Sequence, residues 1–364
     1  MAPIVHQLGH EPIADHSFSD DQAMVAVARG NTVDLFANSG NALQFGAKLS
    51  EHDKTITGVD ISVHGRIVTC SQDRNALVWE PQANGTWKPT LVLLRINRAA
   101  TFVRWSPDGS KFAVGSGARI IAVCYFEQEN DWWVSKHIKK PLRSTILSVA
   151  WHPNSVLLAA GSTDGHARVF SGYIKGVDEK PPATPWGERL PFQTLCGDFT
   201  SASGAWVHDV CFSPSGDALA FTTHDSSIIV AYPSGPEQPP RAVIEVTTSL
   251  LPLRSLVWAS EAAIVAAGHD CHPVVFEGSE SGWKQTRYID DPANYKAGAG
   301  AQEATALNMF KQMDLKGAVQ HADSTLPTIH QNTINTIRVH SQSGGQVTQV
   351  STSGVDGRVV IFDV

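Results

Sequence analysis

The chain has no apolar run approaching the roughly 18 residues of a membrane-spanning helix, and none is expected among its 364 residues. Its first residues, MAPIVHQLGHEP, lack a basic start and an apolar stretch, so they are not read as a signal peptide. Positive charge is not in excess: 28 basic residues against 35 acidic ones leave a net charge of −7, which argues against bulk nucleic-acid binding. Cysteine is scarce. Cys70, Cys124, Cys196, Cys211 and Cys271 are odd in number, never spaced CxxC, and mostly set in apolar runs. They are expected to act as small hydrophobes in a reducing cytoplasm. Catalytic and metal grammar is missing too: there is no GxSxG, P-loop, dinucleotide fingerprint or HExxH. Asp20-Asp21 and Asp290-Asp291 are adjacent in turns, and Cys271-His272 is a lone pair beside a turn, read as structural. No enzyme activity, cofactor or metal is expected. Hydrophobic residues at 42% and charged ones at 17% indicate a globular chain.

What is present is a repeat. VRWSPDGSKFAVGS, VAWHPNSVLLAAGS and VCFSPSGDALAFTT, beginning at Val103, Val149 and Val210, share one order: apolar pair, turn, apolar strand, Gly or Ser. The position closing each unit falls at Phe36, Trp79, Cys124, Phe170, Ala231, Phe276 and Phe362. Most of these recur at the roughly 40–45-residue period of WD repeats; two gaps are longer. Six residues earlier stand Gly30, Asp73, Ala118, Asp164, Asp225, Asp270 and Asp356. The recurring Asp is expected to bind turn amides and fix the hairpin register. The closing aromatic fills the space between sheets. Phe18, Ile61, Trp105, Trp151, Phe212 and Trp258 hold a third register; the seventh unit fits if Ser343-Gly344-Gly345 lengthens its hairpin. One four-stranded sheet cannot bury both faces, but a closed ring of sheets can. The expected fold is therefore all-β, a single seven-bladed WD-repeat propeller over 1–364. The strand near Val5–Leu8 is expected to join the last blade. His52 and His330 stand where WD units often carry Gly-His, and His52 is expected to join Asp73 and Trp79 in a buried hydrogen-bond network that serves stability.

Two insertions interrupt the period. Residues 171–205 carry Pro181, Pro182, Pro185 and Pro191, which rule out a central strand there and suggest an ordered or semi-extended loop. Residues 278–329 contain a stretch at 304–316 without Gly or Pro, predicted to be one short helix between the last two blades. Ala306, Met309, Phe310 and Met313 fall on one side of it, with Leu307 at the edge. Such a stripe on an arm suits helix-in-groove binding of a partner; the alternative is that the helix folds back onto its own propeller. Two basic clusters occupy adjacent repeats: Arg95, Arg98 and Arg104, then Lys136, Lys139, Lys140 and Arg143. On one surface they would receive acidic segments, with subunit contact and ordinary solvation as the competing readings. Trp132 and Trp133 point to opposite faces of a strand, one toward the core and one free for an interface. Trp186 in the Pro-rich insertion is the better interface candidate.

RINRAATFVRW from Arg95, YFEQENDWWVSKHIKKPLRST from Tyr125 to Thr145, WHPNSVLLAAGS from Trp151, TPWGERLPF from Thr184, GHDCHPVVF from Gly268 and the C-terminal SGVDGRVVIFDV carry a resemblance over nearly the whole chain. They resemble the WD-repeat subunit (the 40-kDa class) of the actin-related protein 2/3 complex, or Arp2/3 complex. The resemblance implies a non-catalytic scaffold in an assembly that nucleates actin branches. It implies a place among the other subunits, beside the actin-related proteins, in the cytoplasmic actin cytoskeleton, without nucleic acid or membrane insertion. It also implies that the helix contacts the mother filament: the family's Ala-x-x-x-Phe-x-x-Leu-Asp core maps onto Ala306, Phe310, Met313 and Asp314, with Met313 in the Leu position. Leu307 and Met309 are less polar than the family pattern. The basic residues would then meet the acidic tails of nucleation-promoting factors. WD grammar alone also fits an adaptor of another machine, such as a ubiquitin-ligase substrate receptor or chromatin factor, and a propeller enzyme with a hydrolytic site at the central channel.

Overall fold

The computed structural model describes residues 2–40, 42–235, 238–291 and 326–364. They form seven four-stranded antiparallel sheets, the blades of a propeller. Blade 1 comprises Ile13–Phe18, Met24–Arg29, Thr32–Asn38 and Leu43–Leu49, its strands a to d from the channel outward. Blades 2 to 6 repeat this meander over residues 56–92, 100–138, 146–200, 207–247 and 253–288. Blade 7 takes strands a to c from Ile334–Ser343, Gln346–Gly354 and Arg358–Asp363. Its d strand is the N-terminal Ile4–Gln7, in register with Ile361 to Arg358. The ring closes with that strand one residue earlier than the Val5–Leu8 expectation. In a meander the d–a loops and b–c turns share one face, here called upper; the a–b turns and c–d loops share the lower face.

Burial follows from this geometry. Strand b is covered on both sides, so it reads as an unbroken run of small or apolar residues: Leu157–Ser162 is buried throughout. Strand d has a solvent face, so Ala242–Thr247 alternates half-buried and exposed. All seven closing positions, from Phe36 to Phe362, lie buried on strand c. Where blades nearly touch, only glycine fits: a Cβ on Gly161 would stand 2.8 Å from a Val207 methyl. Blade 7's long hairpin turns on Gly344 and Gly345, both at positive φ as a two-residue hairpin loop requires.

Every a–b pair carries a register shift near the start of strand a, as between Ala100 and Phe102 or Ile146 and Ser148. Such bulges sharpen the twist of the strand lining the channel. Neighbouring a strands share no ladder, and side chains accept their free amides instead. Asp15 accepts from Val59 N at 3.1 Å, Asp60 from Trp105 N at 2.8 Å and Asp209 from Leu256 N at 3.0 Å. The seam between blades 1 and 7 is held by buried His16, whose nitrogens meet the hydroxyls of Thr336, Ser353 and Ser351 at 2.8–3.0 Å. Burial, then the nearby Arg338 charge, drives the His16 pKa down to about 3.

Of residues 171–205, 172–194 form an ordered lower-face excursion, Leu195–Thr200 is blade 4's own d strand, and 201–205 lie on the upper-face loop to blade 5. Of the later insertion, expected over 278–329, Gly282–Tyr288 is blade 6's own d strand, and the described remainder after it is 289–291 and 326–329. Its ends are tied together where Ile329 N donates to Asp290 at 2.6 Å. The stretch 304–316, with Ala306, Leu307, Met309, Phe310, Met313 and Asp314, lies outside the described residues.

Candidate functional site

The turn aspartates stand on the upper face, each in a b–c turn. Asp73 accepts from Asn75 N at 2.9 Å within its turn and from Asp53 N at 3.2 Å in the preceding d–a loop. Asp164 does the same with His166 N and Arg143 N, both 3.2 Å. Asp356 does so with Arg358 N and Gln331 N, at 3.2 and 2.9 Å. Asp270 takes Leu251 N at 2.7 Å, and Asp225 takes Ser227 N at 3.2 Å and the Ser203 hydroxyl. Each carboxylate thus splices a turn to a loop and fixes the upper-face outline. Burial raises the Asp356 pKa, but the hydrogen bond and charge of His330 outweigh it and hold the carboxyl below its ordinary value.

Blade 2 adds an inward relay. His52 Nδ1 lies 2.7 Å from Asp73, its Nε2 2.8 Å from Thr69 Oγ1, and Trp79 Nε1 donates to that hydroxyl at 3.0 Å. The Asp73 carboxylate can only accept, so a proton on His52 Nδ1 faces it, and the Thr69 hydroxyl links the other ring nitrogen to the indole N–H. Blade 7 repeats the outer part, with His330 at 3.0 Å from Asp356 and 2.8 Å from Thr352, but Phe362 supplies no N–H.

The basic residues divide. Arg95 and Arg98 are exposed on the loop joining blade 2 to blade 3, and Lys139, Lys140 and Arg143 are exposed on the loop joining blade 3 to blade 4. The loops flank one b–c turn: Gly117 N donates to Ala99 O at 2.9 Å, and a Cβ on Gly117 would lie 3.5 Å from Arg98 Cβ and 3.9 Å from Thr145 Oγ1. That turn presents exposed Arg119, which sequence reasoning missed. In blade 3 the aspartate of the pattern is Ala118, so no turn carboxylate neutralises the cations there. In blade 4 Asp164 is occupied by a two-pronged contact from Arg168 at 2.9 and 3.1 Å.

Two residues expected in the patch are elsewhere. Arg104 lies in the central channel, where its guanidinium donates to Asp15 at 2.8 Å and stacks 3.9 Å over the Phe102 ring. Burial raises the Asp15 pKa, yet the Arg104 and Arg338 charges prevail and hold it below normal. Lys136 sits on blade 3's outer strand, Trp132–Ile138, with its ammonium 5.9 Å from the Tyr125 ring and 5.8 Å from the Phe192 ring. Neither Arg104 nor Lys136 joins the upper-face cluster. Trp133 is core and Trp132 is 56% exposed. Trp186 is not an interface residue: it is fully buried, donates to Gly216 O at 2.7 Å and packs on Phe199 and Phe212. Trp206, 53% exposed beside the His208–His224 pair, was not singled out from the sequence.

Among the described residues, no three His, Cys, Asp or Glu side chains gather as a metal site. Burial pushes the thiols of Cys70, Cys196 and Cys211 up to about 12 and Cys271 to about 11, which disfavours the thiolate form. No helix is long and apolar enough to cross a membrane among the described residues. What the arrangement offers is a group of exposed cations, Arg95, Arg98, Arg119, Lys139, Lys140 and Arg143, on adjoining upper-face segments.

The family described as WD domain, G-beta repeat matches residues 43–80 and 135–171. Each match starts on the d strand of one blade and ends on the c strand of the next, the same offset that leaves blade 7 to be completed from the N-terminus. Over nearly full length the chain is similar to actin-related protein 2/3 complex subunit 1 of Schizosaccharomyces pombe, at 54% identity over 97% of each chain. It is similar to subunit 1A-B of Xenopus laevis at 47%, over 99% of this chain and 96% of the relative. It is similar to subunit 1A of Arabidopsis thaliana at 40%, over the same shares.

Proposed function

The chain belongs to the family of actin-related protein 2/3 complex subunit 1, and from that premise we propose that it is a non-catalytic docking subunit of such a complex in the cytoplasmic actin cytoskeleton. The propeller holds neighbouring subunits, including the actin-related proteins, in the assembly that supports filament nucleation and branching. Its upper-face cations receive the acidic tails of nucleation-promoting factors, and the segment from Ala306 to Asp314 contacts the mother filament. The observation that carries the subunit reading is the likeness along nearly the whole chain at 40–54% identity.

The acidic-partner reading is supported by Arg95, Arg98, Arg119, Lys139, Lys140 and Arg143 on three adjoining upper-face segments. A single exposed ion pair contributes about 0–1 kcal/mol, so a useful anion site needs several such groups at once. They act together on a run of carboxylates only within about 8 Å at physiological salt.

Purification of the tagged chain from cell lysate tests the proposal. The expected outcome is recovery of actin-related subunits and no hydrolytic turnover by the isolated complex. Recovery of cullin or histone partners without them would overturn it. In the same complex, Arg98→Glu with Lys140→Glu should weaken an acidic activator peptide about tenfold, and Phe310→Ala should weaken filament binding. Unchanged values would remove those two contacts from the reading.

A further inference from the structure

The lower face carries a second charged feature, separate from the upper-face cations. The excursion between strands c and d of blade 4 is pinned to the propeller at its two ends. At the first, buried Lys111 donates to Gly172 O at 3.1 Å and pairs with Asp178, which also accepts from Ile174 N at 2.6 Å. At the second, Trp186 is sunk in the core between blades 4 and 5, and Ser171 Oγ donates to Leu190 O at 2.9 Å. Between the pins, Pro181 and Pro182 fix two φ angles and so stiffen the arch.

Under the arch is a cavity of about 440 Å³, within the range of small-ligand sites. Its wall is apolar, from Val156, Leu157, Leu190, Phe192 and the prolines. Its charged lining is all cationic, Lys136, Lys175, Lys180 and Arg189, beside the neutral polar Asn154, Tyr173 and Thr184, with no carboxylate among the lining residues. Arg189 is paired with exposed Glu188 at 3.3 Å. Lys136, Lys175 and Lys180 enter no ion pair among the described residues. For a chain with a net charge of −7, a preformed apolar hollow with three unpaired ammonium groups is a local inversion of charge.

We propose that this cavity binds a small amphipathic anion, an apolar chain or ring system carrying one carboxylate, sulfonate or phosphate head. The body lies against Phe192, Leu190 and Val156, and the head meets Lys136, Lys175 and Lys180. Because the cavity lies on the lower face, its occupation does not compete with an acidic segment on Arg98 or Lys140.

Titration calorimetry of the full chain in its purified complex with dodecanoate tests this. Saturable binding of one dodecanoate per chain is expected, with dodecanol at least tenfold weaker. Lys136→Glu with Lys180→Glu, both exposed, should lower dodecanoate affinity about tenfold. Leu190→Trp should fill the hollow and abolish binding. Anilinonaphthalene sulfonate should bind the same site and be displaced by dodecanoate. Absence of saturable binding, equal affinity for dodecanol, or indifference to the lysine pair would overturn the proposal. So would displacement of the sulfonate by an acidic peptide but not by dodecanoate.

Discussion

Blades 2 and 3 are neighbours that solve one packing problem with different chemistry. Blade 2 follows the repeat grammar in full, and its buried relay runs from Asp73 through His52 and Thr69 to Trp79. Blade 3 has Ala118 where the aspartate belongs and Cys124 where the tryptophan belongs. It replaces the relay with an aromatic cluster: Trp105, Phe112 and Trp133 meet with ring centroids 5.0–5.6 Å apart. The Arg66 guanidinium of blade 2 lies over two of these rings, at 5.6 and 5.8 Å. A blade therefore does not need the aspartate to fold. What blade 3 loses with it is a negative charge on the upper face, between the loops that carry Arg98 and Lys140.

If blade 3 stands on its aromatics, the largest effect belongs to Trp133→Ala. It removes a buried indole that touches Trp105, Phe112 and Phe126 and should cost about 3–5 kcal/mol in urea unfolding of the full chain. A cost under about 1 kcal/mol would mean that the cluster is incidental and something else holds the blade.

A smaller effect is expected in blade 2. Asp73→Ala leaves the His52 Nδ1–H and the amides of Asp53 and Asn75 without their acceptor, at a cost of about 1–3 kcal/mol. The discriminating measurement is the double-mutant cycle with His52→Ala. Members of one buried network couple by about 0.5–3 kcal/mol, whereas Asp73→Ala and Trp133→Ala, in separate blades without shared partners, should add. Strict additivity of Asp73 and His52 would dissolve the relay.

The contrast also explains which features were legible. The closing positions and turn aspartates recur at fixed offsets, so short-range pattern sufficed to place seven sheets and the N-terminal closure. Blade 3's cluster joins residues 105, 112 and 133, which no offset connects. Arg104 was grouped with Arg98 because the two are close in sequence. The bulge between Ala100 and Phe102 resets the strand's alternation and belongs to tertiary twist, so a sequence cannot show that Arg104 turns to the channel. Lys136 is diverted by Phe192, far along the chain in the insertion. Trp186 was misread for a related reason: proline marks a segment that cannot be a central strand, but says nothing of whether its one large apolar side chain docks back onto the core.

The smallest expected effect is the most informative about function. Ala118→Asp restores the repeat's aspartate to blade 3, in a turn whose Gly117 amide already binds the Ala99 carbonyl. The new carboxylate should accept turn and loop amides as Asp73 does, so stability should rise by no more than about 1 kcal/mol. The same carboxylate would stand between Arg98, Arg119 and Arg143. An acidic peptide should then bind about two- to fivefold more weakly, the scale of one exposed charge interaction. That loss should fade as salt rises from about 0.05 to 0.5 M, because the Debye length shrinks below the spacing of the loops. A gain in stability with unchanged affinity at low salt would separate the missing aspartate from binding and leave the cationic face as ordinary solvated surface. A loss of affinity that persists at high salt would instead indicate a distorted turn.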